Sequence, residues 1–338
     1  MFKMNSKVFK RVNIAHLPTP LEELRNLSEY LDGPRLFIKR DDATGLAFGG
    51  NKTRILEYIM PDILETKAEV IVTGAGLQSN WCRQTAAAAR KFGIKPVLIL
   101  RAGHWMKAPK RYDGNLLLDE ILGADVRIVE GDVNSSDLEK IYDSVIEEYQ
   151  RKGLKVHRIG WPKAGTLSAI AYYDGVKEIL NQAEQLDINI DKIVCAITSG
   201  GTFAGLSIGF KIFNPSTQVL AINVGSSNKN DLAEKVLEYG NSALEQLESQ
   251  KRISKDDFKI IDEYNCGGYG LIEPRLIEVI KKVAQLEGII LDPVYTGKAM
   301  LGIFEMIKER SLTKNETVIF LHTGGTPAVF PYKEHFQS

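Results

Sequence analysis

Short runs of β-branched and other apolar residues alternate with amphipathic stretches along almost the whole chain. Buried parallel strands have near-continuous apolar sequences, and a crossover, usually a helix, must return the chain before the next strand. The alternation therefore predicts an α/β fold with mostly parallel sheets covered by helices. The predicted strands are Glu69–Thr73, Pro96–Leu100, Asp125–Val129, Lys192–Thr198, Gln218–Val224, Ile289–Leu291 and Thr317–His322. The predicted helices are Lys52–Glu65, Ser79–Phe92, Ser136–Lys152, Glu273–Leu286 and Lys298–Glu309.

Length and charge narrow the class of protein further. A chain of 338 residues is long enough for two domains. Its 43 Lys and Arg residues equal its 43 Asp and Glu residues, so no overall field favours nucleic acid or an anionic membrane as a partner. No apolar run reaches the roughly 20 residues that a membrane-spanning helix needs. We therefore expect neither a nucleic-acid nor a membrane partner.

The three cysteines, Cys82, Cys195 and Cys266, have no metal-ligand spacing and no disulfide-framework pattern. An odd, scattered set fits a reducing compartment. The start of the chain, Met1–Arg11, is basic but lacks the apolar stretch of a signal peptide. These features predict a cytoplasmic protein without a metal site.

The segment Thr198–Thr202, which reads Thr-Ser-Gly-Gly-Thr, directly follows a predicted strand. Such a turn at a helix start presents free backbone N–H groups and the positive end of the helix dipole to an anion. The lysine of a nucleotide-binding P-loop is missing, so the pattern favours a single phosphate over a triphosphate. Taken alone, the segment also fits an ordinary tight turn.

The segment Gly74–Asn80 also follows a predicted strand, and Ser79 lies near a helix start. A serine there is typical of a helix cap. The same helix start could instead bind a substrate carboxylate.

Lys52 lies at the start of a predicted helix, after Gly49 and Gly50. The helix dipole disfavours a cation at that end, which lowers the pKa of the amine and suits a lysine that reacts with a carbonyl group. An ordinary surface lysine is the alternative. Two further segments, Asp292–Lys298 and His322–Thr326, complete a set of five that we expect at strand ends, where open α/β sheets bind ligands.

Together these segments resemble the family of D-cysteine desulfhydrase and 1-aminocyclopropane-1-carboxylate deaminase, which are pyridoxal-phosphate enzymes with the tryptophan-synthase β-subunit architecture. The resemblance runs from Leu17 to Gly325. The segments that carry it are Leu17–Leu21, Gly49–Arg54, Gln78–Asn80, Leu122–Val126, Asp292–Tyr295 and His322–Gly325.

The resemblance implies pyridoxal 5'-phosphate as the cofactor and Lys52 as the residue that binds it covalently. The same lysine would later carry the proton of the substrate Cα, and Asn80 would hydrogen-bond the phenolic oxygen of the cofactor. The remaining cofactor contacts would come from Ser199, Gly200, Gly201, Thr202, Thr296 and Thr323.

The resemblance also implies the substrate side of the site. Ser79 would meet the substrate carboxylate or take part in proton transfer, and Tyr295 would act on the substrate. Further substrate contacts would come from Gln78, Asn80, Trp81 and Tyr269. This division of labour needs no metal.

Domain organisation and assembly are likewise implied by the resemblance. Residues 1–52 and 166–338 would form a large cofactor-binding domain, and residues 53–165 a small inserted domain. The partners would be a small amino-acid substrate and a second copy of the chain in a homodimer.

Two positions indicate the reaction type. Family members that open the cyclopropane ring resemble one another in having Glu where this chain has Thr296, and Leu where it has Thr323. A neutral hydroxyl near the pyridine nitrogen gives a weaker electron sink, which suffices when the β-substituent is a good leaving group. We therefore expect β-elimination, with D-cysteine converted to pyruvate, ammonia and hydrogen sulfide.

Three departures from the family pattern concern the substrate. Ile55 replaces a lysine that contacts the phosphate, Trp81 follows Asn80, and Trp161–Gly165 replaces a Gly-rich turn. Trp81 and Trp161 either pack in the core or face the pocket. The alternatives are ring-opening deamination, a lyase for L-cysteate or D-serine, and a non-catalytic protein that binds pyridoxal phosphate.

Overall fold

A computed structural model describes residues 9–131, 133–225 and 227–337, so the basic start of the chain lies largely outside the described residues. The described residues form ten strands, namely β1 (Leu21–Glu23), β2 (Arg35–Lys39), β3 (Val70–Gly76), β4 (Lys95–Arg101), β5 (Asp125–Val129), β6 (Val156–Arg158), β7 (Lys192–Ile197), β8 (Gln218–Asn223), β9 (Lys259–Ile261) and β10 (Thr317–Leu321). They also form ten α-helices, namely α1 (Arg25–Leu31), α2 (Asn51–Glu65), α3 (Asn80–Lys91), α4 (Gly114–Ile121), α5 (Ser135–Arg151), α6 (Trp161–Gln185), α7 (Gly201–Phe213), α8 (Lys229–Gln246), α9 (Pro274–Glu287) and α10 (Thr296–Lys308).

The strands form two sheets. The larger has the order β1-β2-β10-β7-β8-β9, and only β1 runs antiparallel to its neighbour. The smaller has the order β5-β4-β3-β6 and is entirely parallel. Helices connect the parallel strands, so the predicted α/β class with mostly parallel sheets is confirmed.

The smaller sheet uses only residues between Val70 and Arg158, and the larger sheet uses chain on either side of that segment. The chain therefore leaves the larger sheet after β2, builds the smaller one, and returns at β7. The domain limits at residues 52 and 166 stay a prediction.

Helices α6 and α7 pack closely because α7 carries a stripe of glycines. A Cβ atom on Gly201, Gly205 or Gly209 would lie 2.4–2.6 Å from side-chain atoms of α6. These glycines are four residues apart and therefore lie on one face of the helix. The contact holds the first turn of α7 at a fixed place beside the sheet.

Most predicted strands and helices are confirmed to within three residues, but the strand predicted at Ile289–Leu291 is wrong. This segment follows Gly288, which ends α9 in a left-handed conformation, and pairs with no strand of the described chain. Ile289 and Leu291 are buried while Ile290 is half exposed. Packing against helices, and not pairing with another strand, therefore explains why buried and exposed residues alternate in this segment.

A buried ion-pair network fixes α2 to the larger sheet and to α6. The guanidinium group of Arg54 on α2 donates two hydrogen bonds to Asp41, at 2.8 and 3.1 Å, and two to Glu178 on α6, at 3.0 and 3.1 Å. Asp41 follows β2 and also accepts hydrogen bonds from Thr19 and Tyr172. Burial raises the pKa of Asp41, but Arg54 outweighs burial and lowers it to about 2.

In the part of the chain that the structure describes, no helix combines the length and apolar character that crossing a bilayer requires.

Replacing Arg54 by methionine removes the only arginine of this network and leaves Asp41 buried without its main partner. We expect Arg54→Met to lower the free energy of unfolding by about 3–5 kcal/mol, as is typical for one lost member of a buried pair. Urea unfolding followed by circular dichroism measures the change. Lys314→Met, which removes an exposed ion pair with Asp32, is the control and should cost no more than about 1 kcal/mol. Equal losses of unfolding free energy in Arg54→Met and Lys314→Met would contradict the conclusion that the buried network stabilises the fold more than an exposed ion pair does.

Candidate active site

A cavity of about 510 Å³ lies where strands of both sheets reach their carboxyl ends. The ends of β3, β4 and β7 and the turns after β8 and β10 all contribute to its wall. Ligands in open α/β sheets bind at such strand ends. The lining residues are Asn51, Lys52, Ala75, Gly76, Ser79, Asn80, Trp81, Arg101, Trp105, Trp161, Ala196, Ile197, Thr198, Ser199, Gly200, Thr202, Phe203, Gly225, Ser227, Tyr269, Tyr295 and Thr323.

Lys52 is the second residue of α2 and projects into this cavity. Its amine forms no hydrogen bond or ion pair with any described residue. Burial disfavours the charged form and lowers the pKa of the amine to about 8. The structure thus places an unpaired amine, partly neutral near pH 8, inside the cavity.

Glycines allow the backbone before Lys52 to lie against the turn after β10. A Cβ atom on Gly49 (φ 64°) would be 2.0 Å from the carbonyl oxygen of Asp42, and one on Gly324 (φ 91°) would be 2.7 Å from Gly50 Cα. The backbone N–H of Asn51 donates to the carbonyl oxygen of Thr323 at 3.0 Å. This close approach sets the position of Lys52 relative to Thr323.

The turn at Thr198–Thr202 follows β7, and Gly200 caps α7 in a left-handed conformation (φ 91°). No side chain caps this helix, so its first N–H groups remain available for an anion. The side-chain amide of Asn51 donates to Thr202 Oγ1 at 3.0 Å. The hydrogen bond brings the amine-bearing helix α2 next to the anion-binding turn.

The start of α3 forms a third part of the wall. Ser79 caps the helix, and its Oγ accepts the backbone N–H of Cys82 at 3.1 Å, which leaves its hydroxyl hydrogen free to donate. Asn80 Oδ1 accepts hydrogen bonds from Asn115 at 2.9 Å and from Arg83 at 3.2 Å. The Asn80 side-chain NH₂ group has no partner among the described residues and can donate to a ligand.

Two tyrosines lie opposite these helix starts. The hydroxyl groups of Tyr269 and Tyr295 are 2.8 Å apart, and Trp105 packs edge-on against Tyr269 with ring centroids 6.0 Å apart. Burial raises the pKa of both tyrosines. Both hydroxyls therefore stay protonated at neutral pH, and because one of them donates to the other, the pair keeps one hydroxyl hydrogen for a ligand.

The structure brings most predicted site residues together, but Gln78, Gly201 and Thr296 do not line the cavity. Both ends of the Gln78 side chain are bound to backbone groups of Asp113 and Asn115. The hydroxyl of Thr296 donates to Asp292 Oδ1 at 2.6 Å, and the side chain is fully buried. Contacts of Gln78 and Thr296 with a small ligand are thus indirect in this conformation.

The sequence did not decide whether Trp81 and Trp161 pack in the core or face the pocket. In the structure both line the cavity. Trp81 and Trp161 pack at 5.3 Å between ring centroids, and Trp161 keeps 42% of its surface exposed. Ile55 points instead into the apolar core, at 1% exposure, so no cation stands at that position.

Sequence reasoning missed Arg101 and Trp105. Arg101 is the last residue of β4, and a tight turn with reciprocal hydrogen bonds between Gly103 and Met106 carries Trp105 back to the cavity. Its position at the end of a predicted parallel strand could have identified Arg101, because ligands bind at such strand ends. Trp105 has no such signal, because the turn depends on packing against Tyr269 and Gly270.

These features fit a phosphorylated aldehyde cofactor. Lys52 supplies an amine for the aldehyde, the α7 turn supplies N–H groups for the phosphate, and Asn80 supplies an amide donor for a ring oxygen. The hydroxyl of Thr323 has no partner among the described residues and can face a ring nitrogen.

Comparisons with known proteins agree with this fit. A family model described as pyridoxal-phosphate dependent enzyme matches residues 12–324. The D-cysteine desulfhydrase of Klebsiella pneumoniae is 35% identical, over 99% of this chain and 100% of its own. The 1-aminocyclopropane-1-carboxylate deaminase of Rhizobium rhizogenes is also 35% identical, over 98% of each chain. The crystal structure of an ACC deaminase homologue superimposes with a TM-score of 0.86 at 35% identity, covering 97% of this chain and 96% of its own.

The low pKa of Lys52 predicts unusual reactivity in the cofactor-free protein. Only the neutral amine attacks an acylating reagent, so labelling of Lys52 should reach half its maximal rate near pH 8. Ordinary lysine amines do so near pH 10.4. Mass spectrometry of peptides labelled across a pH series measures both profiles.

Lys298 is an internal control for access. Burial lowers its pKa to about 8 as well, but its amine donates to the carbonyl oxygens of Asn265 and Gly268 and is fully buried. It should therefore label slowly throughout. A Lys52 profile that matches the bulk of the lysines would show that the amine is solvated.

Proposed function

The chain belongs to the family of pyridoxal-phosphate-dependent enzymes, and we propose that it eliminates the β-substituent of a small amino acid. D-Cysteine is the substrate we propose, with pyruvate, ammonia and hydrogen sulfide as products. The two relatives named above, a desulfhydrase and a deaminase, are equally similar to this chain. The choice between their reactions therefore has to come from the chain's own site.

The observation that carries the choice is that no carboxylate lines the cavity among the described residues. A carboxylate beside the ring nitrogen would keep that nitrogen protonated and strengthen electron withdrawal from the substrate. The free hydroxyl of Thr323 offers a neutral partner instead. A weaker electron sink favours a reaction with a good β leaving group over the opening of a cyclopropane ring.

When bound, pyridoxal phosphate supplies the electron sink that makes the Cα–H bond of the amino acid acidic. The protein must hold that bond in place and move the proton. The amine of Lys52, with its pKa lowered to about 8, is neutral often enough near neutral pH to take the proton.

The start of α3 orients the substrate. Its free N–H groups and the Ser79 hydroxyl can bind the α-carboxylate, which the positive end of the helix dipole favours. Across the cavity, the hydrogen-bonded pair of Tyr269 and Tyr295 has one free hydroxyl hydrogen, which can donate to the β-substituent. Trp81, Trp105 and Trp161 limit the room for water and for larger side chains.

Loss of the amine should remove both the covalent cofactor and turnover. In wild-type protein, borohydride should fix pyridoxal phosphate to the peptide that contains Lys52, as seen by mass spectrometry. Lys52→Ala should show no fixed cofactor and lose activity by about 100-fold or more. Lys298→Ala is not a fair control because that side chain is buried, so Lys235→Ala, outside the cavity lining, serves instead. Wild-type protein that binds the cofactor at Lys52 yet turns over no amino acid would support the non-catalytic alternative.

A substrate panel tests the reaction type. We expect keto-acid and sulfide release from D-cysteine to exceed keto-acid release from 1-aminocyclopropane-1-carboxylate, because the site offers no carboxylate to the ring nitrogen. In the same assay, comparing L-cysteine with D-cysteine shows which stereoisomer the enzyme prefers. Thr323→Val removes the hydroxyl at nearly constant volume and should lower kcat more than it changes KM. A preference for ring opening in wild-type protein would overturn the proposal.

A further inference from the structure

Two adjacent residues of α3, Arg83 and Gln84, join the start of that helix to the chain on either side of Lys52. Both side chains are fully buried, and neither belongs to the described lining of the cavity. Helix α3 follows β3 of the smaller sheet, whereas the segment that carries Lys52 follows β2 of the larger sheet. The two side chains therefore connect the two sheets behind the cavity wall.

Arg83 holds the chain before Lys52. Its guanidinium group donates to the carbonyl oxygen of Ala47 and, at 3.1 Å, to that of Gly49. Ala47 (φ 44°) and Phe48 (φ 67°) both have a left-handed backbone, which costs energy for a residue with a Cβ atom. The side chain of Phe48 is 66% exposed, so its packing does little to offset that cost. The hydrogen bonds from Arg83 therefore hold a strained turn just before the reactive lysine.

Gln84 holds the chain after Lys52. Its Oε1 atom accepts the backbone N–H of Thr53 at 2.7 Å and the Thr53 hydroxyl at 2.9 Å. Thr53 is fully buried and follows Lys52 directly in the first turn of α2. The chain is thus held on both sides of Lys52 through neighbouring residues, and the amine needs no contact of its own to stay in place.

The same two side chains also contact Asn80, the first residue of α3. Arg83 donates to Asn80 Oδ1 at 3.2 Å, and the side-chain amide of Gln84 donates to the Asn80 carbonyl oxygen at 3.1 Å. A guanidinium group has donors only, so it binds the oxygen end of the Asn80 amide. The NH₂ end of Asn80 is therefore left for a ligand.

The charge of Arg83 strengthens these contacts. Burial lowers the pKa of Arg83 to about 10, and the charge of Asp119 on α4 opposes that decrease. Arg83 therefore stays charged near neutral pH. Hydrogen bonds from a charged donor are stronger than those from a neutral one, which suits a residue that must hold a strained turn.

We propose that Arg83 and Gln84 are positioning residues that set the separation between the Lys52 amine and the Asn80 amide. The aldehyde carbon and the phenolic oxygen of pyridoxal phosphate lie a fixed distance apart on one rigid ring. An amine and an amide that serve these two atoms must be held at a matching separation, although they come from different sheets. The inference rests on the proposed function in one respect, namely that Lys52 and Asn80 both contact the cofactor.

The first test follows the labelling of Lys52 by an acylating reagent in cofactor-free protein. In Arg83→Met and in Gln84→Leu, we expect the half-maximal rate to move upward from near pH 8 by about one pH unit or more, because the released chain lets water reach the amine. Arg90→Met is the matched control. Arg90 lies on the same helix and donates to two carbonyl oxygens between α4 and β5, away from the cavity lining, so its loss should leave the midpoint near pH 8.

Arg83→Lys separates position from charge, and it also decides the matter if circular dichroism shows that Arg83→Met does not fold. Lysine keeps the positive charge but lacks the planar fork that reaches several acceptors at once. We therefore expect Arg83→Lys to raise the Lys52 midpoint as well. A midpoint equal to that of wild-type protein would mean that charge alone acts on the amine, which would overturn the positioning role of Arg83.

A second test measures binding of pyridoxal phosphate and does not depend on turnover. All three tryptophans line the cavity, so intrinsic fluorescence reports on its contents. We expect Arg83→Met and Asn80→Ala each to raise the half-saturating concentration of pyridoxal phosphate about 10-fold or more. Because Arg83 acts partly through Asn80, the double variant should lose less than the product of the two single losses. A loss equal to that product would overturn the role of Arg83 at Asn80.

The outcomes separate this inference from the proposed function. If the Lys52 midpoint stays near pH 8 in Arg83→Met and Gln84→Leu, or moves equally in Arg90→Met, the inference is overturned and the proposed β-elimination stands. If wild-type protein turns over no amino acid, the proposed function fails. A raised Lys52 midpoint in the two variants still supports Arg83 and Gln84 as positioning residues in that case.

Discussion

The buried pairing of Arg54 with Asp41 and Glu178 is the interaction on which the geometry of the site depends. Arg54 lies two residues beyond Lys52 on α2, while its partners lie just after β2 and on α6. A guanidinium at 3% exposure has few alternative partners, so the network holds α2 in one position. The reactive amine is therefore positioned by an ion pair outside the cavity, and not by contacts of its own.

This arrangement separates charges by function. The carboxylates of the network, such as Asp41, lie behind the cavity wall and compensate Arg54. The wall itself combines helix starts with Lys52 and Arg101 and, within the described lining, has no carboxylate. An amine kept unpaired and desolvated is more reactive than one held in a salt bridge, and a positive wall attracts anionic ligands. The proposed function uses this one distribution of charge both to keep the amine reactive and to attract an anionic ligand.

The elements predicted from sequence were those whose signal is local. Apolar runs marked β3, β7 and β10, and Gly-Gly turns marked the loops at Lys52 and Gly200, since only glycine permits their conformations and close contacts. Prediction failed at Ile289–Leu291, because apolar alternation does not reveal whether a strand partner exists. It also could not show that Gln78 and Thr296 are bound to neighbouring groups instead of lining the cavity.

By itself the sequence determined the α/β class, the residue that carries the amine, and the turns that can bind an anion. These follow from periodicity and backbone permissiveness, which depend on neighbours along the chain. Only the tertiary structure decided that Arg101 and all three tryptophans meet at one cavity, that Ile55 is core, and that Thr323 and not Thr296 lines the cavity. The physical reason is that a side chain's surroundings are set by segments far away in sequence, which packing alone brings together.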